Sequence, residues 1–218
     1  MPGLPQPATV LITAGPTYEP IDTVRFIGNR SSGRLGVEVA RATHAVGLDV
    51  ILALGPNTVP PPAFPDRLRV ERFHSCADLE ALLEELWPAQ AQVLIMAAAV
   101  ADYRPKKPAK ESKLRRAIER LTIEMEATPD LVAGCARRRR PGQRVIGFAL
   151  EPAAELMKSA ADKMKRKGLD AIVANPLDTM DADEIDGFLL HADGRRESPG
   201  RLSKPMFAAW LIDRLMRG

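Results

Sequence analysis

Cysteine and histidine are scarce in this chain of 218 residues, which holds two of the first, Cys76 and Cys135, and three of the second. Two thiols make no disulfide framework, and they point to a reducing compartment, the cytoplasm. The histidines and cysteines also show no metal-ligand spacing, so a structural zinc site is not expected. Aromatic residues make up 5% of the sequence and none interleave with the basic runs. The stacking platforms of a single-stranded nucleic-acid binder are therefore missing, and no nucleic-acid partner is expected. The longest apolar run, Val93 to Ala101, has nine residues, against the ~20 that a membrane-spanning helix needs. No basic patch precedes an apolar stretch at the N-terminus, so neither a secretory leader nor a membrane partner is expected.

What remains, 45% hydrophobic and 27% charged residues, is the composition of a soluble globular protein rather than a collagen, a coiled coil or a disordered chain. A chain this long buries roughly 70% of its unfolded surface and needs no covalent staples. Its net charge is only +3, from 31 basic and 28 acidic residues, but the basic residues cluster. Eight of them fall between Arg104 and Arg120 against two acids, and further runs follow at Arg137 to Arg140 and Lys158 to Lys167. Clusters of one sign raise the local concentration of an anionic ligand.

Short β-branched runs alternate with helical patterns, the mark of a parallel sheet with crossover helices. Strands are expected over Thr9 to Thr13, Asp49 to Leu54, Leu68 to Phe73, Val93 to Ala98, Arg144 to Ala149 and Asp170 to Ala174. Between them, Leu35, Val39, Ala42 and Val46 fall at helical spacing. So do Leu79, Leu82, Leu83 and Leu86, and later Leu156, Met157, Ala160 and Met164. Ile185 to His191, followed by Asp193-Gly194, suggests a terminal hairpin. Ser203 then caps a last helix with Pro205 in its first turn. Residues 103–126, Pro-rich, then basic, then alternating at Leu121, Ile123 and Met125, read as a β-like arm that leaves the sheet.

Ligands of open α/β sheets sit outside the carboxyl ends of the strands. After the first strand, Gly28-Asn29-Arg30-Ser31-Ser32-Gly33 leads into a helix, whose start is an anion site in waiting. Gly28 and Gly33 have the spacing of a phosphate loop, but Arg34-Leu35 stands where Lys and Ser/Thr are required. The dinucleotide pattern fails as well, since the second strand ends in Leu54-Gly55 with no acid for a ribose. After the fourth strand, Ala98, Ala99 and Val100 let a planar base approach the backbone amides closely. Asp102 beyond them suits a ribose hydroxyl or a water-bridged cation, or simply turns the chain. Thr128-Pro129-Asp130 opens another helix, with Thr128 as its cap and orphan N–H groups that could receive a phosphate. Cys76 and Cys135 read as packing residues, because neither is seen beside a helix start or histidine that would activate it.

In order along the chain, Ile12-Thr13-Ala14-Gly15-Pro16-Thr17, Asn29-Arg30-Ser31-Ser32-Gly33, Ala98-Ala99-Val100-Ala101-Asp102-Tyr103, Thr128-Pro129-Asp130, Gly147-Phe148-Ala149 and Val173-Ala174-Asn175 together resemble the bacterial phosphopantothenoylcysteine synthetase family. The resemblance runs from about Thr9 to Ala174. It implies a single, doubly wound Rossmann-like domain over residues 1–218, with the arm as a dimer contact and a C-terminal hairpin plus helix. It implies a cytoplasmic ligase of coenzyme A biosynthesis that activates 4′-phosphopantothenate with CTP and magnesium, then couples the acyl-cytidylate to cysteine. Asn29 and Lys113 take the catalytic positions, with Lys110 the alternative lysine. Asn29, Arg30, Ser31, Ser32 and Gly33 match the substrate segment. Ala98, Ala99, Val100, Asp102, Lys113, Pro129, Asp130, Leu131, Val132, Phe148, Lys163 and Lys167 match the nucleotide site. No flavin is expected, since the flavin-binding domain often fused upstream is not part of this sequence. The chain departs from the family pattern at Arg115-Arg116, at Asn175-Pro176 and over the acidic stretch Asp178 to Asp186. A non-catalytic nucleotide-binding module or regulatory subunit on the same fold, or an ATP-using ligase, would share most of these pieces.

Overall fold

The computed structural model describes residues 8–56, 59–64, 66–109, 111–116, 120–180 and 182–217. The first half runs β1 (Thr9–Ala14), β2 (Tyr18–Pro20), β3 (Phe26–Gly28), α1 (Arg34–Ala45), β4 (Asp49–Leu54), β5 (Leu68–Arg72), α2 (Cys76–Leu86), β6 (Val93–Met96) and β7 (Tyr103–Pro105). The second runs β8 (Met125–Ala127), α3 (Leu131–Arg138), β9 (Arg144–Glu151), α4 (Leu156–Lys167), β10 (Ala171–Pro176), a 3-10 turn (Leu177–Thr179), β11 (Glu184–Asp186), β12 (Phe188–His191), β13 (Arg196–Glu197), β14 (Arg201–Ser203) and α5 (Lys204–Arg217).

Eight strands form the central sheet in the order β13-β12-β10-β9-β6-β1-β4-β5. From β10 to β5 every pairing is parallel, while β12 and β13 close one edge antiparallel. Alternation along each strand divides the core between the two faces of the sheet. Val10, Ile12 and Ala14 of β1 pack with Val37 and Ala40 of α1 and Phe207, Leu211 and Ile212 of α5. Leu11 faces the other way, toward Leu79 and Leu83 of α2, Leu131 and Cys135 of α3, and Leu156 and Ala160 of α4. Helices thus cover both faces, as a buried parallel sheet requires. Helix α1 lies unusually close to β1: a Cβ on Gly36 would sit 2.5 Å from that of Ala14. Ser75 and Asp78 form a reciprocal capping box at the start of α2. The buried indole N–H of Trp87 donates to the Cys135 carbonyl at 2.9 Å, tying the end of α2 to α3.

The doubly wound expectation holds, and three local details differ. The segment Ile185 to His191 is not one strand. It breaks at Gly187, so β11 pairs with β14 while β12 joins β10 and makes the hairpin with β13. Helix α3 starts at Leu131 with Asp130 as its cap, its carboxylate accepting from Ala133 N at 3.2 Å. Thr128 instead donates its hydroxyl to the Ala101 carbonyl at 2.6 Å. In the arm, the antiparallel ladder β7–β8 joins only its two ends, with Met125 the one member of the alternating set in a described strand. No described helix is long and apolar enough to cross a membrane.

Candidate active site

Strand order places β1 between β4, the next strand of the central sheet along the chain, and β6, which the chain reaches later on the other side. The carboxyl ends of β1 and β6 are therefore the topological switch point, where such sheets bind ligands. Beyond it the two strands stay in touch: Ala99 N–H donates to Gly15 O at 2.9 Å, and Thr17 N–H to Ala99 O at 3.2 Å. The chain leaving β1 makes the β2–β3 hairpin and returns as Asn29–Gly33 to start α1. Gly33, the residue before α1, sits at φ 71°, a left-handed conformation that favours glycine. Ser31 Oγ accepts from Gly33 N at 3.3 Å and Ser32 Oγ from Arg34 N at 3.4 Å, which shapes the turn.

A cleft of about 1240 Å³ opens here between the start of α1, the segment after β6, the end of β9 and one face of α4. Asn29, Arg30, Ser31, Ser32 and Gly33 line it, with Ala98, Ala99, Val100, Asp102, Phe148, Lys163 and Lys167. A second cleft of about 340 Å³ shares Ala98, Val100, Asp102, Phe148, Lys163 and Lys167 and adds Pro129, Asp130, Leu131 and Val132. Every described site residue expected from the sequence except Lys113 thus borders one or both of these two clefts, which share six lining residues. The Asn29 amide donates to the Val100 carbonyl at 2.9 Å, so the two loops meet at the residue expected to handle the acyl group.

Positive charge is concentrated along α4. Lys163 donates to the Phe148 carbonyl at 2.9 Å, and burial, reinforced by neighbouring Lys167, pushes its ammonium below the ordinary lysine value. Lys167 reaches the Asp130 carboxylate at 2.9 Å. Sequence reasoning missed other cations on the main cleft: Arg34, Lys158, Arg166 and Lys204. Lys158 and Arg166 were accessible from spacing, since 158, 159, 162, 163, 166 and 167 share one helical stripe. Arg34, paired with Asp183, and Lys204, which is 7% exposed, depend on the packing of β11 and α5 and had no local signal.

The structure corrects four expectations. Lys113 borders neither cleft. Its neighbours are drawn to the β2–β3 turn instead: Leu114 N–H donates to buried Asp22 at 3.0 Å, and Arg25 donates to Leu114 O at 2.8 Å. The Arg25 guanidinium above all, with three backbone N–H donors, holds the Asp22 carboxyl well below the usual carboxylate range. Lys110 lies outside the described residues. The N–H groups of Ala98 and Ala99 are not open to a base, because Thr13 Oγ1 accepts the first at 3.1 Å and Gly15 O the second. At the N-terminus of α3 one of the first-turn N–H groups expected to meet a phosphate, that of Ala133, is already taken by the Asp130 carboxylate. Finally, Cys76 does open helix α2, contrary to the premise drawn from sequence. Its packing role nevertheless stands, since burial and the Glu19 carboxylate push the thiol up to about 11.

Residues 6–217 match the family model of the DNA/pantothenate metabolism flavoprotein C-terminal domain. The coenzyme A biosynthesis bifunctional protein CoaBC of Mycolicibacterium smegmatis is 38% identical over 216 residues, covering 93% of this chain and 51% of that protein. The chain spans about half the length of the curated relatives it matches. The crystal structure of the C-terminal domain of a CoaBC protein superposes with a TM-score of 0.80 at 30% identity, over 98% of this chain and 95% of that one. A Cab2 variant in complex with phosphopantothenate-cysteine shares the fold, with a TM-score of 0.76 at 18% identity over 95% of this chain and 87% of that one. With nearly the whole sequence matched and the fold shared throughout, the chain belongs to the DNA/pantothenate metabolism flavoprotein C-terminal domain family.

Proposed function

We propose that this chain joins 4′-phosphopantothenate to cysteine, using CTP and passing through an acyl-cytidylate. The observation that carries the reading is the meeting of Asn29, Asp102, Phe148, Lys163 and Lys167 around one depression at the switch point. Family membership and the phosphopantothenate-cysteine bound by a protein of the same fold support it. In the first step a carboxylate oxygen of the acid bonds to the α-phosphorus of CTP and pyrophosphate leaves. In the second the cysteine amine attacks the acyl carbonyl, loses a proton and expels CMP. Lys163 and Lys167 lie where they would neutralise phosphate charge, and the α1 N-terminus favours an anion at the other wall. Asn29 would donate to the acyl oxygen as charge develops there, without adding charge of its own. Phe148 and the small side chains of Ala98, Ala99 and Val100 would form the faces of the base pocket. With two N–H groups of that segment committed to Thr13 and Gly15, discrimination for cytosine would rest on the remaining polar groups and on crowding of a purine.

Magnesium would enter with the triphosphate and supply charge neutralisation. Among the described residues no cluster of three or more His, Cys, Asp or Glu could hold a metal ion by itself. That suits an ion held mainly by phosphate oxygens and water, with one or two carboxylates at most. Asp102, exposed and bordering both clefts, is the carboxylate placed to contribute.

Lys113 would act from a second copy. The arm and the hairpin beside it expose Val24, Phe26, Tyr103 and Leu121, an apolar set of the kind that interfaces cover. We therefore propose a homodimer in which the arm of one chain brings Lys113 toward the cleft of the other. The test is turnover of phosphopantothenate, cysteine and magnesium with CTP or ATP, with oligomeric state measured on the same sample. The reading expects one CMP and one pyrophosphate per product and a higher kcat/KM with CTP. Equal or better efficiency with ATP would overturn the nucleotide assignment.

A further inference from the structure

The segment from Ala98 to Asp102 carries no side chain large enough to fix its own path, yet it frames both clefts. Its backbone is pinned by hydroxyls. Thr13, wholly buried on β1, accepts from Ala98 N at 3.1 Å and donates to Met96 Sδ at 3.3 Å. Thr17, also wholly buried, accepts from Ala101 N at 3.0 Å, while its own N–H holds Ala99 O. Thr128 donates to Ala101 O at 2.6 Å, and its N–H donates to Asp102 O at 3.0 Å. Ala101 is 3% exposed, so its N–H has no recourse to water if Thr17 Oγ1 is removed. Ala101 immediately precedes Asp102, so the last fixed N–H before that carboxylate depends on one hydroxyl.

We infer that Thr17 is a positioning residue for the nucleotide site: its hydroxyl, on the loop after β1, sets the path of Ala101 and hence the placement of Asp102 and the Ala98–Val100 wall. Thr17 itself borders neither cleft. Its effect runs through the backbone, where an error of about 1 Å at a site can cost on the order of 100-fold. The inference rests on the proposed nucleotide site. Buried Thr43 provides the comparison: its hydroxyl donates to Val39 O at 2.7 Å inside α1, with no role toward the clefts.

The test is CTP titration and steady-state kinetics on wild type, Thr17→Val, Thr17→Ser and Thr43→Val, with thermal unfolding of each. Thr17→Val is expected to weaken CTP binding roughly tenfold, about 1.4 kcal/mol. Its KM for CTP should rise further than its kcat falls. Thr17→Ser should restore binding to within twofold or so of wild type, and Thr43→Val should lose stability without a change in CTP affinity. CTP affinity unchanged in a folded Thr17→Val variant overturns the inference alone. Wild type that binds no nucleotide overturns the site reading and the inference with it. Should Thr17→Val not fold, Thr17→Ala removes the same acceptor from Ala101 N with less steric change, and unchanged affinity there overturns the inference.

Discussion

Replacing Lys163 with methionine keeps the aliphatic stem and removes only the ammonium, so it separates the charge from the packing. On the fold side, the hydrogen bond to Phe148 O at 2.9 Å is lost, at about 1 kcal/mol. Against that, a half-buried cation four residues from Lys167 disappears, and burial already disfavours its charged form. The two effects oppose each other, and stability should change by no more than about 1 kcal/mol. On the binding side nothing cancels. One cation at ~4 Å from a phosphate charge, at an effective dielectric of ~20, contributes ~4 kcal/mol of attraction. After solvent competition, a hydrogen bond to a charged group is worth about 1.5–3 kcal/mol, so its loss should weaken CTP binding by about 10- to 100-fold. Calorimetric CTP titration alongside denaturant unfolding would therefore show affinity collapsing while the unfolding midpoint barely moves. Loss of more than ~2 kcal/mol of stability with intact affinity would refute the reasoning, because a structural lysine behaves that way. pH offers a second reading. The lowered value means the charge is lost as pH rises through it, before the ordinary 10.5, so affinity should fall there. Over the same window the folded state holds fewer protons than the unfolded one, so Lys163's contribution to stability should rise. Lys163→Arg should push the affinity loss to higher pH.

Other outcomes follow from the proposed function. If Lys113 acts from the second copy of the proposed dimer, Lys113→Ala should cut pyrophosphate release by ~100-fold or more. Asn29→Asp should form the acyl-cytidylate and then stall, and quench-flow separates the two; equal loss of the same step in both would contradict the division of roles. The Cys76→Ser, Cys135→Ser double variant should keep ligase activity, and at pH 8 neither wild-type thiol should react readily with iodoacetamide, since Cys76 titrates only near 11 and burial also raises Cys135. Asp22 contributes to stability fully above its ordinary 3.8 and loses that contribution as pH falls from there toward its lower folded value. Asp22→Asn should accordingly flatten the acid limb of an unfolding profile.

The central sheet was legible because its evidence is local: continuous apolar strands such as Leu11-Ile12 and Val93 to Met96, and helices with periodic leucines between them. The small ladders were not. Tyr18–Pro20 with Phe26–Gly28, and Glu184–Asp186 with Arg201–Ser203, are too short for a period to show, and their partners are set by tertiary contact. In the site, glycines and small residues carried part of the reading; Lys163 and Lys167 came only from the family resemblance, since two lysines four apart on a helix read by themselves as a solvated face. Hydrogen-bond commitments did not show in advance: that Asp130 would cap α3, or that Thr13 would take the Ala98 N–H, depends on where each hydroxyl or carboxylate falls after packing. The position of Lys113 was equally opaque, because buried Asp22, almost a hundred residues earlier, decides where that part of the arm lies.

The most direct measurement leaves cysteine out. Enzyme mixed with CTP, magnesium and phosphopantothenate should release pyrophosphate in a burst about equal to the sites present, and hold the cytidylate as a mixed anhydride. CMP and product should then appear only when cysteine is added. Pyrophosphate that appears only with cysteine, CMP released without it, or no reaction in wild type would contradict the account.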